Sequence, residues 1–315
     1  MKTTAVCIVN YNTRDLLRVC LLSVLAEAPT EIVVVDNASA DGSAEMVRVE
    51  FTSVKLISLE KNIGYGAAAN RAVEHCYADY VLLLNSDTVM KPGALRTMSR
   101  YLEAHNPAAL LGPRISNTDN TQQTSCFHFP TPLHIFFYLS GLYKWIPTLP
   151  VLKKRSLQAN SIHAARVVPW VLGAALAFRR LTFEAVGGFD ESFFMYFEEV
   201  DLCQRLSRKG QQVHFVPEAE ILHVGGASTE QERARMNLQY FASLAKYYRK
   251  HYPRLFLLEL VLIVKFFAFL GLARDFLLLK TTRDAARQSD LKTNLTVHQG
   301  LLFSGWNSSR LAVAV

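Results

Sequence analysis

The first 115 residues alternate short apolar runs with longer segments of mixed polarity. Runs rich in Val, Ile and Leu occupy Thr4–Asn10, Glu31–Asp36, residues 54–59 and residues 80–84. Each run is followed by a helix-like segment of about 10–15 residues. Strands that alternate with helices in this way form parallel sheets covered on both faces. The pattern therefore predicts an α/β fold with a mostly parallel sheet.

Polar residues gather where each predicted strand ends. Ligands of open parallel sheets bind beyond the carboxyl ends of the strands, so we expect a ligand site at this edge. Asp, Asn and Ser are also the preferred residues of turns and helix caps, which is the simpler interpretation of each cluster taken alone. Four consecutive polar strand ends favour a site. The clusters are Asn10, Tyr11 and Asn12; Asp36, Asn37, Ser39 and Asp41; Asn62, Gly64 and Asn70; and Asn85, Ser86 and Asp87.

A second group of acidic residues lies about 110 residues beyond Asp87. Gly187 and Gly188 lead into Asp190, and three carboxylates then fall within four residues, at Glu198, Glu199 and Asp201. An isolated carboxylate after an apolar strand suits a divalent cation, and a crowded carboxylate suits a general base. The pair of signatures suggests a metal-bound phosphate site and a base.

A rival interpretation concerns the third strand–helix unit. Gly64, Gly66 and Ala69 match the dinucleotide fingerprint G-x-G-x-x-G/A, which follows a strand and opens a helix. The motif lies in the third unit instead of the first, and Asp87 lies in a turn beyond its strand. A nicotinamide oxidoreductase is therefore the weaker alternative.

Composition and charge limit the setting of this site. With 315 residues, 50% of them hydrophobic, the chain can bury one large α/β core, with or without a smaller appendage. Its five cysteines are widely spaced and contain no C-x-x-C, which indicates neither a disulfide framework nor a zinc site. We expect a reducing, cytoplasmic compartment, and the first apolar run is too short for a signal peptide.

The excess positive charge lies entirely in the tail. Residues 1–240 contain 23 Lys or Arg and 23 Asp or Glu, whereas residues 241–315 contain 11 and 4, a difference of +7. Basic residues flank the apolar stretch 255–279, an arrangement that suits an anionic membrane surface better than nucleic acid. Glu259, Lys265, Arg274 and Asp275 interrupt the stretch. We expect interfacial or re-entrant attachment, with a membrane span and a buried helical hairpin as alternatives.

The aromatic stretch 127–150 has no regular period and contains several prolines. It could be a flap beside the acceptor site, a second membrane-facing patch, or an ordered excursion packed on the core. Next to a basic, apolar tail, it makes an acceptor linked to a polyprenyl diphosphate an attractive hypothesis.

Several motifs in register resemble family 2 glycosyltransferases, particularly the rhamnosyltransferase-like branch. The resemblance covers about residues 4–230. It implies a GT-A fold and inverting transfer from a nucleoside diphosphate sugar. The donor half is represented by the four strand-end clusters, and the acceptor half by Gly173; Gly187, Gly188, Phe189, Asp190 and Glu191; Glu198, Glu199, Asp201 and Arg205; and His223, Gly225 and Gly226.

The resemblance implies a role for each matching residue at the donor and metal sites. Asn10, Tyr11 and Asp36 would hold the base and ribose, and Asn62 and Asn70 would lie nearer the diphosphate and sugar. Asp87 would bind Mg²⁺ or Mn²⁺, and His223 would be a second ligand or a diphosphate contact; an imidazole ligand favours Mn²⁺. Asp190 would meet sugar or acceptor hydroxyls, or only stabilise its loop. The remaining residues implied at the donor site are Asn37, Ser39, Asp41, Gly64, Asn85 and Ser86.

The matching acidic pair implies the base. Glu199 corresponds to the second acid of the family's pair, and repulsion by Glu198 could raise its pKa. Glu replaces the family's Asp at this position, so Glu198 and Asp201 stay open as alternatives. Asp201 lies four residues before Arg205 on a predicted helix, and an ion pair is the simpler interpretation for these two.

The sequence thus predicts a metal-dependent inverting glycosyltransferase. The leading donor is dTDP-rhamnose, and the acceptor is a lipid-linked saccharide in cell-surface polysaccharide assembly. The alternatives are a UDP-hexose transferase with another acceptor and a catalytically silent, nucleotide-binding membrane scaffold. We expect a GT-A domain over residues 1–250, with a nucleotide-sugar half at 1–115 and an acceptor half at 116–250, and a membrane-associating helical tail at 251–315. The expected location is the inner face of the cell membrane, peripherally attached, with no nucleic acid partner.

Overall fold

The computed structural model describes residues 2–142, 164–227, 232–303 and 306. Helices alternate with strands through the first half of the chain. The strands are β1 (Thr4–Asn10), β2 (Glu31–Asp36), β3 (Lys55–Ser58), β4 (Tyr80–Asn85), β5 (Thr88–Met90), β6 (Ala108–Ser116), β7 (Cys126–Phe127), β8 (Arg166–Val168), β9 (Trp170–Val171), β10 (Ala175–Arg179) and β11 (Gln212–His223). The helices are α1 (Arg14–Ala26), α2 (Ser43–Glu50), α3 (Tyr65–Glu74), α4 (Ala94–Ala104), α5 (Pro132–Leu139), α6 (Arg180–Ala185), α7 (Glu198–Arg208), α8 (Arg233–His251), α9 (Arg254–Thr281) and α10 (Ala285–Phe303).

The first four strands form the parallel part of one large sheet. Its order is β3-β2-β1-β4-β10-β6-β11-β5, and β8 pairs with β11. β1 pairs in parallel with β2 and β4, so that Asn10 lies opposite Asp36 and Val9 lies opposite Asn85. The four predicted strands are confirmed, with ends shifted by at most one residue. Their register brings the predicted polar strand ends to one edge of the sheet.

The second half of the sheet is mixed. β10 runs antiparallel between β4 and β6, and β11 runs parallel to β6 and antiparallel to β5. β11 continues as far as His223, which lies opposite Thr88. This pairing places a residue from late in the chain beside the turn that contains Asp87.

Alternating residues of the strands build a core on each face of the sheet. Ala5, Cys7 and Val9 of β1 belong to one core, and Val6 and Ile8 belong to the other. Burying an aliphatic side chain of this size stabilises the fold by roughly 1.5–3 kcal/mol, so the continuous apolar strands account for a two-faced sheet. The five cysteines are free and buried.

The contacts within the chain divide it into two units. The first contains the described residues of 1–129, 158–194 and 198–228, and with them the large sheet. The second contains those of 130–157, 195–197 and 229–315. The domain boundary near residue 250 stays a prediction, because a unit of contacts is not a demonstrated folding domain.

The second unit is helical. α5, α8, α9 and α10 make it up together with the turn Met195–Phe197. Ser243 of α8 donates a hydrogen bond to the carbonyl of Met195 at 2.7 Å. α9 is long and apolar enough to cross a membrane by length and composition. α5 belongs to the aromatic stretch 127–150, of which residues 143–150 lie outside the described part of the chain.

Candidate active site

The ends of β1 and β2 are joined by a buried hydrogen-bond network. The Asn10 amide donates to Asp36 at 2.9 Å and to the Ser39 hydroxyl at 3.1 Å. The Asn10 side-chain oxygen accepts from Thr13, whose hydroxyl lies 2.7 Å from that of Ser86. Predicted residues from three strand ends therefore meet. Tyr11 follows Asn10 directly at this edge.

A second network joins the end of β2 to the loop before α3. Asn37 donates to the Asn62 side-chain oxygen at 2.9 Å and accepts from the Ile63 amide at 3.0 Å. The Asn70 side chain, on α3, donates to the carbonyl of Phe189 at 3.0 Å and accepts from the amide of Phe189 at 2.9 Å. The Asn70 side chain thus holds the turn that contains Asp190. The family resemblance implies a position nearer the donor diphosphate and sugar.

The backbone around Gly64 is occupied by other parts of the protein. The Gly64 amide donates to Asn62 at 3.0 Å, and the Tyr65 amide donates to the carbonyl of Phe194 at 2.9 Å. In a dinucleotide loop, the amides at the start of the helix are directed to the pyrophosphate. A carbonyl at this position argues against the oxidoreductase alternative.

Replacing Gly64 by Ala is expected to destabilise the protein. Gly64 has φ 88° and ψ 165°, a region essentially restricted to glycine, and a Cβ there would collide with the backbone of Phe194. Gly93 has φ 83° and ψ 1°, in the left-handed helical region, and a Cβ added there would meet no atom within 4 Å, so Gly93→Ala gives the cost of a left-handed backbone without a collision. We expect a loss of about 1 kcal/mol for Gly93→Ala and at least about 2 kcal/mol more for Gly64→Ala, measured by urea unfolding. Equal losses would show that the Phe194 contact is not tight.

Asp41 is engaged at two helix starts. One carboxylate oxygen accepts from the backbone amide of Ser43, the first residue of α2, at 3.0 Å. The other accepts from the amide of Arg14, the first residue of α1, at 2.8 Å. Asp41 thus binds the first backbone amide of two helices, where a negative charge is favourable, and its role at the donor site stays a prediction. An open cavity of about 310 Å³ lies beside it, lined by residues 12–16, Asp41 and Ala227.

Asp87 faces His223 across the end of the sheet. One Asp87 oxygen lies 3.4 Å from His223 Nε2, and the other accepts from the Gly225 amide at 3.1 Å. Burial alone would raise the pKa of Asp87, but the hydrogen bond and charge of a protonated His223 outweigh it and keep the pKa below its ordinary value. Asn85 and Ser86 precede Asp87 in the same turn.

Gln123 orients His223, although no sequence motif contains it. The Gln123 amide nitrogen donates to the carbonyl of His223 at 2.8 Å, so its oxygen, 3.0 Å from His223 Nδ1, must accept. His223 Nδ1 therefore carries the proton, and in a neutral imidazole the lone pair of Nε2 points to Asp87. This contact could not be predicted from the sequence, because the two residues lie 100 positions apart and no motif contains Gln123.

The donor set of Asp87 and His223 fits a divalent cation. When the imidazole is neutral, the lone pair of His223 Nε2 and an oxygen of Asp87 are two hydrogen-bond acceptors that face and repel each other. A cation or a proton bound between them removes this repulsion. No three His, Cys, Asp or Glu side chains group together within the described ranges. Two protein ligands are enough for a cation that takes its other ligands from phosphates and water.

Glu198 and Glu199 form a carboxyl pair at the start of α7, in which Glu198 is buried and Glu199 is partly buried. Their Oε2 atoms have no hydrogen-bond partner within the part of the chain that the structure describes. Burial raises the pKa of Glu199 to about 7. Burial, followed by the charge of Glu199, raises the pKa of Glu198 well above its ordinary value. Glu199 packs on Gly173, where a Cβ would lie 3.4 Å from its side chain.

Tyr65 lies beside the carboxyl pair. The sequence did not indicate a role for this residue. Its hydroxyl donates to the carbonyl of Gly173 at 3.4 Å. Burial raises the pKa of Tyr65, and the charges of Glu198, Glu199 and Asp87 raise it further. Glu199 packs on the same Gly173, and the carbonyl of the next residue, Ala174, accepts from the Asn85 amide at 3.0 Å, so the acidic pair lies near the turn that contains Asp87.

Asp201 and Asp190 have structural partners. Asp201 is fully buried and pairs with Arg205 at 2.7 Å, which confirms the ion pair expected from their spacing. Arg205 also donates to the carbonyls of Val186 and Gly188, so the pair supports the glycine turn. Asp190 accepts from the amide of Ser192 within its own turn at 3.0 Å.

Comparison with known proteins agrees with this architecture. Residues 5–151 match the family described as Glycosyl transferase family 2, and residues 80–282 match Glycosyl transferase family group 2. The chain is 30% identical to an N-acetylglucosaminyl-diphospho-decaprenol L-rhamnosyltransferase of Mycobacterium tuberculosis, over 68% of this chain and 72% of that protein. It is 32% identical to Rhamnosyltransferase WbbL of Escherichia coli, over 46% of this chain and 52% of that protein.

A solved structure resembles the fold at low sequence identity. It is the mannosyltransferase PcManGT from Pyrobaculum calidifontis in complex with GDP-Man and Mn²⁺, with a TM-score of 0.53 and 16% identity, covering 96% of this chain and 85% of that one. At this identity the likeness bears on the fold alone, which is GT-A. The sheet, the matched family and the relatives agree, and the chain belongs to family 2 of the glycosyltransferases.

Proposed function

We propose that the protein transfers rhamnose from dTDP-rhamnose to a lipid-linked saccharide, with inversion at the anomeric carbon, in cell-surface polysaccharide assembly. The observation that carries the proposal is the set of contacts at Gly173 and Ala174. Glu199 packs on Gly173, and the Ala174 carbonyl accepts from the amide of Asn85, two residues before Asp87, at 3.0 Å. Glycosyl transfer needs a stabilised leaving group and a base. Asp87 and His223 can bind a cation that stabilises the leaving group, and Glu199, whose pKa is raised, can act as the base.

Asp87 and His223 are the proposed ligands of the divalent cation. When bound, Mg²⁺ or Mn²⁺ neutralises charge that builds on the departing diphosphate. The His223 nitrogen favours Mn²⁺ over Mg²⁺. Asn85 lies where the commoner Asp-x-Asp form has its first carboxylate, and it acts through water or the sugar.

Glu199 is the proposed base. It takes the proton from the acceptor hydroxyl as that hydroxyl attacks the anomeric carbon. A pKa of about 7 gives a carboxylate that is partly ionised at neutral pH and basic enough to accept this proton. Burial keeps that pKa high, and Asp201 forms an ion pair with Arg205. The geometry therefore favours Glu199 among the three acidic candidates.

The donor nucleotide is proposed to bind at the ends of β1 and β2. Asp36 there accepts from Asn10 and from the Ser39 backbone amide. The cavity beside Asp41 adjoins this edge and leaves room for a ligand group. Asn37, Asn62, Gly64 and Asn70 bond to other parts of the protein, and we propose that they hold the loops around the donor in place.

The donor sugar and acceptor are inferred from the relatives. One is named for rhamnosyl transfer to N-acetylglucosaminyl-diphospho-decaprenol, and another is the O-antigen chain rhamnosyltransferase WbaN of Salmonella anatum. A polyprenyl-linked acceptor requires access to a membrane. The apolar helix α9 and its basic flanks support peripheral attachment to the inner face of the cell membrane.

A transfer assay tests the proposal. Purified protein, Mn²⁺ and a short-chain polyprenyl diphosphate saccharide are incubated with dTDP-rhamnose, UDP-glucose or UDP-N-acetylglucosamine. We expect product only from dTDP-rhamnose, with inverted anomeric configuration by NMR. Transfer from a UDP-hexose would replace the proposed donor. Nucleotide binding without transfer from any donor would favour the silent scaffold.

Gln123→Leu is expected to weaken Mn²⁺ binding about 10–100-fold, the usual loss when a metal-bound histidine loses its outer hydrogen bond. Leu fills the space of Gln123 without accepting from His223 Nδ1. Free Mn²⁺ is measured by electron paramagnetic resonance during titration, which needs no turnover. Gln123→Glu keeps an acceptor and should bind Mn²⁺ nearly as the native protein does. The exposed neighbour Gln122, changed to Leu, is the matched control; an unchanged affinity in Gln123→Leu would refute the role.

A further inference from the structure

The two faces of α9 differ in what covers them. Eight large apolar residues of this helix are between 46% and 63% exposed. At about 100° per residue they fall within one sector of roughly 120°. Leu260, Val264, Ala268 and Asp275, which are buried, lie on the opposite side. The exposed set, the α9 stripe, consists of Leu255, Leu258, Leu262, Phe266, Phe269, Leu270, Phe276 and Leu277.

The buried face of α9 is covered by α10, which is a polar helix. His298 of α10 packs directly on Gly271, where a Cβ would lie 2.5 Å from the imidazole, and its Nε2 lies 3.4 Å from buried Asp275. Arg274 also pairs with Asp275, at 2.7 Å. These contacts fix the rotation of α9, so that its stripe faces away from α10.

The exposed side of α10 carries charged and polar residues along its length. Arg287, Asp290, Lys292 and Gln299 are all exposed. If α9 crossed a bilayer, α10 would enter the hydrocarbon beside it and take these groups out of water. A helix that lies in the plane of the membrane surface avoids this, because its stripe meets lipid while α10 stays in water.

We infer that the second unit docks on an anionic lipid surface through the α9 stripe, with α9 lying in the plane of the interface and α10 on its aqueous side. Basic residues at both ends of the stripe complement the negative charge of an anionic lipid surface, which favours lipid as its partner. Arg249, Lys250 and Arg254 are exposed at the start of α9, and Lys280 and Arg283 are exposed at its end. Within the stripe's sector, Glu259 is the acidic residue, and it is partly buried near the first turn.

α5 widens the same apolar surface. Phe136 of α5 packs edge-on against Phe267 of α9, with ring centroids 5.6 Å apart. Leu133 and Tyr138 of α5 are 43% and 55% exposed. Two features singled out in the sequence, the aromatic stretch and the apolar tail, thus meet in one unit. Tyr138 has the amphipathic ring that is enriched at membrane interfaces.

Vesicle partitioning gives the first test. The full chain is sedimented with vesicles of phosphatidylcholine alone or with about one-third phosphatidylglycerol, and we expect stronger partitioning with the anionic lipid. Phe266→Glu should lower the partition coefficient at least about tenfold. Leu181→Glu is the matched control, since Leu181 is a 70% exposed apolar residue of the first unit and should leave partitioning unchanged.

Depth measurements separate the in-plane helix from a span. The native cysteines are buried, so single cysteines introduced at Leu255, Phe266 and Leu277 can be spin-labelled selectively. An in-plane α9 gives three similar depths, and a label at Gln299 stays accessible to a water-soluble nickel chelate. A span gives a deep centre with shallow ends and a lipid-accessible label at residue 299, which would overturn the inference.

A second copy of the chain is the other possible occupant of the stripe. Failure to partition, together with a dimer by sedimentation that Phe266→Glu dissociates, would also overturn the inference. The inference deepens the membrane part of the proposed function and rests on it. The vesicle tests use no sugar donor, so their failure is distinguishable from failure of the transfer assay.

Discussion

Glu199→Gln is expected to lower kcat of sugar transfer about 10³-fold while leaving donor binding nearly unchanged. Gln keeps the shape of the side chain against Gly173 but cannot take a proton from the acceptor. General bases typically contribute 10²–10⁴-fold, and about 10³ is the middle of that range. Initial rates with saturating donor measure the loss, and calorimetry measures donor affinity.

Two matched variants show whether the effect belongs to Glu199. Glu198→Gln replaces the neighbouring carboxyl, whose own pKa is raised well above its ordinary value, with a neutral side chain of the same shape, and should cause a smaller loss of rate. Glu218→Gln changes an exposed glutamate on β11 and should have no effect. A large loss in Glu198→Gln with near-normal activity in Glu199→Gln would move the base to Glu198.

The same variant should change the pH dependence of rate and stability. Native activity should rise with pH as Glu199 ionises near pH 7, whereas the residual activity of Glu199→Gln should lack this step. A carboxyl whose pKa rises from 4.5 to about 7 on folding stabilises the fold fully below pH about 4.5, and this contribution is lost as the pH passes 7. At pH 8 the uncharged Gln should therefore raise the free energy of unfolding by about 1–2 kcal/mol. A less stable variant at pH 8 would contradict the raised pKa.

Asp87→Asn is expected to abolish metal-dependent nucleotide binding and to lower the transfer rate by about 10³-fold. Asn keeps an oxygen for the Gly225 amide but removes the negative charge opposed to His223. A cation at a developing diphosphate charge stabilises the transition state by several kcal/mol, which corresponds to a factor of this size. Transfer rates across a Mn²⁺ titration measure the effect.

A charge-matched control separates this effect from a general change in charge. Asp284 is an exposed aspartate that accepts from the Arg287 amide at 3.0 Å, and Asn preserves that hydrogen bond. Asp284→Asn should bind nucleotide and metal as the native chain does. Full activity of Asp87→Asn without added metal would contradict a cation at this position.

The donor half of the fold could be predicted because its signals are local. Each of the first four strands is an apolar run that ends in polar residues, and parallel pairing brings such ends to one edge. Asn10, Asp36 and Ser39 meet there as this reasoning requires. The Asp201–Arg205 pair was equally local, since helical spacing alone sets it.

The remainder of the site depends on contacts between distant parts of the chain. Gln123 reaches His223 because its backbone amide donates to Ile115 of β6 and β6 pairs in parallel with β11. No periodicity in the sequence indicates that pairing. Tyr65 lies between two glycines at the predicted opening of a helix, and Glu198, which packs near Gly66, comes from a helix more than 130 residues away.

Other residues make tertiary contacts that local rules do not indicate. Both ends of the Asn70 amide bind the backbone of Phe189, and its position near the donor stays a prediction. The four charges in residues 255–279 gave no clear amphipathic pattern along the sequence. Asp275 is buried against His298 on the side opposite the α9 stripe, and the exposed apolar side chains of the folded chain define that stripe.

Calorimetric titration of the purified chain with dTDP, UDP, GDP and NADH, with and without Mn²⁺ and repeated on Asp87→Asn, tests the central claim most directly. We predict that dTDP binds, that Mn²⁺ strengthens its binding at least about tenfold, and that the strengthening disappears in Asp87→Asn. Binding of NADH that is indifferent to Mn²⁺, with no nucleoside diphosphate bound, would contradict a metal-assisted glycosyltransferase site.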